Sequence, residues 1–131
     1  MGGSLAVSDA IISELESLSL SATRVSGSNR YATAAEIFKI GKELGGEVKN
    51  ALIANGSNPA DALAAGAYAH YAGIPVLLVK TDSIPEETKA ALAGNEKTYV
   101  IGGELAVSEA VMLPARRLLK NPGTARRTSL W

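Results

Sequence analysis

The sequence predicts an α/β protein with three helix–sheet–helix layers and a mainly parallel four-stranded sheet of Rossmann-like type, preceded by an extra N-terminal helix. Short apolar segments alternate along the chain with longer segments whose apolar residues recur every three or four positions. This alternation is typical of β-α-β units, in which right-handed crossovers place parallel strands side by side. Aromatic residues are scarce, at 5%, while alanine, glycine and serine are plentiful, which favours close packing of helices on a sheet.

The predicted elements follow one another from residue 23 onward. The strands are residues 23–27, 51–55, 75–80 and 98–103. The first interstrand helix begins near Arg30 and places apolar residues at helical spacing, namely Ala34, Ile37, Ile40 and Leu44. The second helix has Asn58 as its N-cap and Gly73 as its C-cap, and the third lies between Ser83 and Gly94. A last helix follows Ser108, its predicted N-cap.

The beginning of the chain repeats part of its end. Residues 2–18 correspond to 102–118 at a constant offset of 100, and between positions 2 and 10 only Ser4 and Asp9 differ from their counterparts. The later copy is predicted to be a strand end, a Gly-Gly turn and a helix, whereas the earlier copy keeps only the turn and the helix. Its predicted N-cap is Ser8, and its apolar stripe consists of Ile11, Ile12, Leu15 and Leu18. The repeat indicates a unit that recurs in tandem.

Three segments are therefore expected. Residues 1–20 would be the terminal helix of a preceding repeat, 21–113 a single repeat, and 114–131 a basic tail, either disordered or foreign to the repeat, since Pro114 would kink the last helix. The net charge is zero, yet residues 1–20 carry −3 and residues 112–131 carry +5. A basic end often has an anionic partner, although it is as readily a solvated terminus.

Composition also excludes several classes of site. The chain has no cysteine and one histidine, which removes disulfides, thiolate metal sites and histidine clusters, so no metal or cofactor is expected. No apolar run approaches the roughly 20 residues of a membrane span, and no secretion signal is recognisable. Membrane insertion is therefore not expected, and an export signal would lie upstream or have been removed.

Residues 23–37, 51–79 and 98–111 resemble, in order and spacing, the type 2 cell-wall-binding repeat of bacterial surface proteins. The resemblance implies a noncatalytic module, usually present in three copies around a pseudo-threefold axis. Such modules hold surface-layer proteins and autolysins noncovalently on an anionic wall polymer. It thus implies a location at the cell wall and no nucleic-acid partner. Two departures stand out: Pro59-Ala60 replaces an aromatic residue followed by proline, and Val76-Leu77-Leu78 replaces the Ile-Leu-Leu stretch associated with anchoring.

Candidate ligand-binding residues come from the predicted strand ends, where parallel sheets bind ligands, and from the resemblance. They are Ser28, Asn29, Arg30 and Asn58, together with Val76, Leu77 and Leu78. The Arg30 guanidinium offers a bidentate fork to a phosphate or carboxylate, or else pairs with Asp61 or Glu104. The stretch 76–78 is explained first as a central strand, buried on both faces.

Two other functions remain open at this point. One is a small α/β enzyme or a nucleotide- or phosphate-binding domain, for which only Ser26, Asp61 and His70 have suitable chemistry, and no hydrolase, dinucleotide or P-loop signature is present. His70 is better explained as a surface or capping residue, and its neighbours Tyr68 and Tyr71 as core or subunit contacts rather than sugar platforms. The other is a purely structural self-assembly domain. Self-association, as a homotrimer, is expected under the leading hypothesis too.

Overall fold

The computed structural model describes residues 1–45, 48–119 and 125–128. The helices are α1 (Asp9–Ser17), α2 (Arg30–Gly45), α3 (Pro59–Ala72), α4 (Glu86–Leu92) and α5 (Glu109–Leu118). The strands are β1 (Asn50–Asn55), β2 (Val76–Val79), β3 (Lys97–Ile101) and β4 (Ala125–Thr128). The predicted α/β class is confirmed, and the finer Rossmann-like helix–sheet–helix assignment stays a prediction.

Three strands in the order β2-β1-β3 form the body of a parallel sheet. Leu52 of β1 lies opposite Val76 of β2 and Tyr99 of β3. The segment β4 runs parallel to β3, with Ala125 opposite Thr98. Since the strands are parallel, the carboxyl ends of β1, β2 and β3 share one edge of the sheet, and the loops that follow them meet there.

The predicted strand at residues 23–27 is wrong, because this segment is irregular. This segment has a single large apolar side chain, Val25, between the polar Arg24 and Ser26, so it offers little surface to bury in a sheet. Its Val25 carbonyl instead accepts a hydrogen bond from the Gly2 amide at 2.9 Å. The strand beside β3 comes from residues that were predicted to be tail.

Apolar side chains alternate between the two faces of the sheet, as expected for strands covered on both sides. One cluster combines side chains of β1, β2 and β3 with side chains of α2, α4 and α5: Phe38, Ile53, Leu77, Leu92, Val100, Val111, Met112 and others. The opposite cluster consists of Leu52, Ala54, Ala65 and Ile101, with partly buried residues of α3 around it. In β1, Ala51, Leu52, Ile53 and Ala54 are each fully buried. The prediction of β2 as a central strand is wrong, because β1 occupies that place.

Helix termini follow the predicted signals in part. The Asn58 side chain accepts a hydrogen bond from the Ala60 amide at 3.2 Å, and Gly73 has a left-handed φ of 63° after α3, so both predicted caps are confirmed. Ser8 and Ser108 occupy the N-cap positions of α1 and α5, but neither side chain makes a capping hydrogen bond. The two serines are thus predicted at the correct positions, but the prediction that their side chains cap the helices is wrong.

Helix α5 passes the predicted boundary at residue 113. It runs through the exposed Pro114 and ends at Leu118. Val111, Met112 and Ala115 bury the opposite side of the helix, and this packing compensates for the backbone hydrogen bond that proline lacks. The division of the chain at residues 20 and 113 stays a prediction. Within the described part of the chain, no helix has the length and apolarity of a membrane span.

Candidate functional site

The loops after β1, β2 and β3 converge on the side chain of Asn55, which is 3% exposed. Its amide nitrogen donates to Thr81 Oγ1 at 2.9 Å and to the Ala106 carbonyl at 2.6 Å. Its oxygen accepts from the amides of Ser57 at 2.6 Å and Asn58 at 3.3 Å. One buried side chain therefore ties together three loops of the carboxyl edge.

Sequence reasoning missed Asn55. The available signal is an amide at the last position of a buried strand, directly before the turn-forming Gly56-Ser57-Asn58. Buried amide groups need hydrogen-bond partners, so a residue of this kind indicates loops that fold over the strand end. The loop after β2 is fastened a second time, since the Thr81 carbonyl accepts from the Ser108 amide at 2.8 Å.

Arg30 lies exposed in the first turn of α2 and reaches across to the loop after β1. Its Nη1 donates to the Gly56 carbonyl at 2.6 Å. The alternative pairing with Asp61 or Glu104 is not observed among the described residues. Asp61 lies instead beside the turn after β3, where a Cβ atom added to Gly102 would stand 2.9 Å from its Oδ2.

The loop before α2 can approach its neighbours closely because it carries a glycine. A Cβ atom added to Gly27 would collide with Ala32, and the Gly27 amide donates to Thr33 Oγ1 at 3.0 Å. Gly56, in the loop after β1, also permits a close approach, since a Cβ atom added there would stand 2.8 Å from the Tyr31 ring. These close approaches bring Ser28–Arg30 and the loop after β1 together.

Both the oxygen and the nitrogen of the Asn29 side-chain amide form hydrogen bonds. Its oxygen accepts from the Ala32 amide at 2.9 Å and so caps α2. Its nitrogen donates to Glu87 Oε1 at 3.1 Å and, more weakly, to Ser28 Oγ at 3.4 Å. Asn29 therefore orients the loop and links it to α4.

The hydrogen bond from Asn29 affects the pKa of the Glu87 carboxyl group. Hydrogen bonds from its own backbone amide and from Asn29 lower the pKa of Glu87 below 4.5; desolvation opposes them, and the charge of Lys80 adds the smallest lowering contribution. A lowered pKa means that the folded state favours the ionised group. The stabilisation is thus present above about pH 4.5 and is lost as the pH falls through the folded-state pKa.

We expect Asn29→Ser to raise the pKa of Glu87 partway to its usual value. Serine keeps an oxygen that can cap α2 but removes the amide donor, while the backbone hydrogen bond, the larger cause, remains. Carbon-detected NMR titration of the Glu87 carboxyl measures the change, and Ser28→Ala, which alters no Glu87 contact, is the matched control. An unchanged pKa in Asn29→Ser would show that the Asn29 hydrogen bond has no influence on Glu87.

Ser28, Asn29, Arg30 and Leu78 line one groove of about 600 Å³, whose facing wall is the N-terminal turn, residues 2–6. The structure thus brings together most of the predicted polar candidates with one residue of the β2 stretch. The participation of residues 2–6 was not predicted. We call this cavity the N-terminal groove.

The other predicted site residues lie elsewhere. Asn58 caps α3, Val76 is half-buried in the α3-side cluster, and Leu77 is 0% exposed beneath the opposite face of the sheet. Leu77 therefore supports the fold and does not line the N-terminal groove. Leu78 alone of the stretch 76–78 lines that groove.

A second groove, of about 430 Å³, lies between α2 and α4. Ala35, Phe38 and Ala91 contribute to its lining, and Lys42 Nζ stands 4.7 Å from the centre of the Phe38 ring. Sequence reasoning did not anticipate this groove. Its lining is predominantly apolar, and it receives none of the predicted site residues.

Two of the three residues considered for the enzyme alternative, Asp61 and His70, are not brought together. Asp61 is in the first turn of α3 and His70 in the last, which separates them by about 13 Å along the helix axis. An acid–base pair requires hydrogen-bond distance or one intervening water. Among the described residues, no group of histidine, aspartate and glutamate is placed to hold a metal ion. Fold and site together define an α/β domain with a groove at the edge of its sheet, in which Ser28, Asn29 and Arg30 lie among mostly apolar lining residues.

Residues 24–112 match the Cell wall binding domain 2 (CWB2) family, and the chain belongs to that family. The resemblance of its motifs to the type 2 cell-wall-binding repeat is thereby confirmed. The family is defined by binding to the cell wall, which indicates a noncatalytic module and a location at the cell surface.

Curated relatives and solved structures agree with this family. The chain is 38% identical over 113 residues to N-acetylmuramoyl-L-alanine amidase LytC of Bacillus subtilis (strain 168), covering 85% of this chain and 22% of LytC. It is 31% identical over 111 residues to the amidase enhancer of the same strain, covering 85% of this chain and 14% of that protein. The chain thus spans about a fifth or less of the length of these relatives.

Two structures of Clostridium difficile proteins share the fold. Cwp6 superposes with a TM-score of 0.86 at 27% identity, covering 96% of this chain and 20% of the Cwp6 chain. Cwp8 superposes with a TM-score of 0.80 at 28% identity, covering 98% of this chain and 21% of the Cwp8 chain. The fold therefore recurs as one part of larger proteins.

Proposed function

We propose that this chain is a noncovalent anchoring module that binds an anionic polymer of the bacterial cell wall through the N-terminal groove. Family membership supports a cell-wall partner. The observation that carries the choice of site is the position of the exposed Arg30 guanidinium, beside Ser28 and Asn29, in one groove at the edge of the sheet.

The hydrogen bond of Arg30 to Gly56 favours recognition of an anion. A guanidinium has five N–H donors in a planar fork, and the bond from Nη1 to the Gly56 carbonyl restricts the orientations of that fork. The other donors are then oriented before a ligand arrives, which lowers the entropic cost of binding. Phosphate and carboxylate groups match the spacing of a guanidinium fork, so a polyanionic chain is the ligand class that this geometry supports.

We expect Arg30→Ala to weaken retention on purified cell walls by about 10-fold to 100-fold, as a charge-assisted contact of about 1.5–3 kcal/mol is lost. Stability should fall much less, by about 0.5–1.5 kcal/mol, because Arg30 is exposed and makes one hydrogen bond to the backbone. Co-sedimentation with walls and thermal melting measure the two effects. Arg117→Ala is the matched control, since Arg117 is an exposed arginine on α5, away from the groove.

Three results would contradict the proposal. If Arg30→Ala binds in proportion to its folded fraction, Arg30 has a structural role and the groove is not the site. If the unaltered chain binds equally well to walls from which the anionic polymer has been extracted, the ligand is another wall component. Failure to bind intact walls at all would remove the anchoring function itself.

We further propose that the chain associates as a homotrimer. Identical subunits usually close their contacts by symmetry, and the acidic segment 1–20 (−3) complements the basic segment 112–131 (+5). The outer side of α3 supports association too, because Leu63 and Tyr71 remain 76% and 89% exposed. This assembly is a separate proposal from the binding site.

A further inference from the structure

The cavity between α2 and α4, which we call the α2–α4 groove, has the size and lining of a ligand pocket. Its volume is about 430 Å³, and pockets for small ligands enclose about 300–1,000 Å³ within mainly apolar walls. The apolar lining consists of Ala32, Ala35, Phe38, Ala90 and Ala91. Because the Phe38 ring is 2% exposed, a sugar cannot stack on it. The groove therefore suits a ligand with small apolar groups.

Charged residues divide the groove into an acidic end and a basic end. Helix α2 rises about 15 Å from Ala32 to Lys42, and both residues line the groove. Glu87 lies at the Ala32 end, since its Oε1 accepts a hydrogen bond at 3.1 Å from Asn29, the residue before α2. Lys42 and Lys39 line the other end. Opposite charges thus stand at the two ends of an apolar floor.

The basic end can bind an anion. Lys42 Nζ stands 4.7 Å from the centre of the Phe38 ring, a contact that places the ammonium group beside the groove. Within residues 1–45, 48–119 and 125–128, neither Lys39 nor Lys42 forms an ion pair. Glu36, the other acid of the lining, lies closer to the acidic end along α2. A carboxylate at the basic end would therefore meet two ammonium groups.

The acidic end can bind a cation. Hydrogen bonds from its own backbone amide and from Asn29 lower the pKa of Glu87, so its carboxylate is charged at neutral pH. A carboxylate has about four lone-pair sites, and the Asn29 bond occupies one of them. Lys80 adds only the smallest lowering contribution and forms no ion pair with Glu87. The carboxylate is oriented by Asn29 and can still accept further hydrogen bonds.

We propose that the α2–α4 groove binds a short linear peptide with free termini, its ammonium group on Glu87 and its carboxylate on Lys39 and Lys42. An extended chain advances about 3.3–3.6 Å per residue, so about four or five residues with small side chains span the groove. A polyanion would be repelled at the acidic end, and a wholly apolar segment would desolvate the charged residues without pairing them. The site is separate from the N-terminal groove, and its occupation does not depend on polymer binding.

A first experiment titrates tetra-alanine into the isotopically labelled full chain and follows the NMR signals of Ala35, Phe38 and Ala91. We expect these signals to shift and to reach half-saturation at or below about 1 mM. Acetylation of the amino terminus and amidation of the carboxyl terminus should each weaken binding at least about 3-fold, because each removes one ionic contact. The proposal is overturned if these signals do not move, or if a peptide blocked at both ends binds as tightly as the free one.

A second experiment assigns the two ends of the peptide. The double variant Lys39→Gln/Lys42→Gln should bind the free and the amidated peptide alike, and Glu87→Gln should bind the free and the acetylated peptide alike. Lys97→Gln is the matched control, since Lys97 is exposed at the start of β3, outside the groove, and both preferences should persist there. A lysine double variant that still prefers the free carboxylate, or a Glu87→Gln variant that still prefers the free ammonium group, would refute the proposed orientation.

A third experiment fills the groove. Ala90→Leu places a larger side chain at an exposed position of the lining, so it should melt as the parent chain does and weaken peptide binding at least about 10-fold. Ala93→Leu introduces the same change at an exposed position outside the lining and should bind normally. Undiminished binding by Ala90→Leu would show that the peptide lies elsewhere and would overturn the proposal.

Discussion

Asn55→Ala is expected to lower the free energy of unfolding by about 2–4 kcal/mol, the cost of removing a buried amide and leaving its partners without hydrogen bonds. The partners are the Thr81 hydroxyl, the Ala106 carbonyl and two backbone amides. They belong to three different loops, so the change should loosen the whole carboxyl edge of the sheet. Urea denaturation followed by circular dichroism measures the loss.

The neighbouring Asn58→Ala is the matched control. It removes the same side chain from an exposed N-cap position, where the expected cost is about 1 kcal/mol. Asn55→Asp provides a second comparison, since it keeps the acceptor for the Ser57 amide and removes the donor to Ala106. Equal losses for Asn55→Ala and Asn58→Ala would show that the loops are held by other contacts.

Leu77→Ala is expected to destabilise the fold by about 2–5 kcal/mol, because it opens a cavity in the main core where Leu77 is fully buried. Its effect on wall retention should follow the folded fraction alone and should disappear at temperatures where the variant is fully folded. Leu78→Ala, on the edge of the N-terminal groove, should cost less stability and reduce retention even when folded. Thermal melting combined with co-sedimentation at two temperatures separates these outcomes.

This comparison divides the roles within the stretch 76–78. A folded Leu77→Ala protein that no longer binds walls would contradict the structural role of Leu77 and would mean that β2 opens to contact the polymer. Full retention by Leu78→Ala would indicate that the apolar wall of the N-terminal groove does not touch the ligand. In that case the stretch acts only through the stability of β2.

Local signals predicted most of the regular structure. The strands β1, β2 and β3 and the helices between them lie within a few residues of their predicted places, because apolar periodicity and end signals such as Asn58 and Gly73 act over short distances. Strand order is a different matter. The central position of β1 depends on which segments pair, and no local pattern of apolar residues distinguishes a central strand from an edge strand when both faces are covered.

The two largest errors share a physical cause. Residues 23–27 form no strand because their backbone bonds to Gly2, and Ala125–Thr128 form one because they reach β3. Both outcomes depend on contacts between distant parts of the chain. Pro114 illustrates the same limit, since packing of Val111, Met112 and Ala115 outweighs a local helix-breaking signal.

The candidate site was predictable to the extent that it follows from topology. Ser28, Asn29 and Arg30 were chosen because they precede a helix at a predicted strand end, and they do lie together in one groove. The strand argument behind that choice was wrong, since 23–27 is irregular, yet the loop still sits beside the true end of β1 through the bond from Arg30 to Gly56. Asn55 and residues 2–6 were missed because their roles depend on where other loops fold.

The polar attachment of α1 has a mechanical consequence. Under the proposed anchoring function the chain bears tension, and a pull on its N-terminal end first loads the hydrogen bonds of Gly2 with Val25 and Arg24. These few bonds are loaded one after another, so the leading segment should peel away at low force. A pull along β1, β2 and β3 loads all the hydrogen bonds between them at once in shear, since the strands are parallel. Under tension, the segment before α2 would therefore extend first, while the hydrogen bonds of the sheet remain intact.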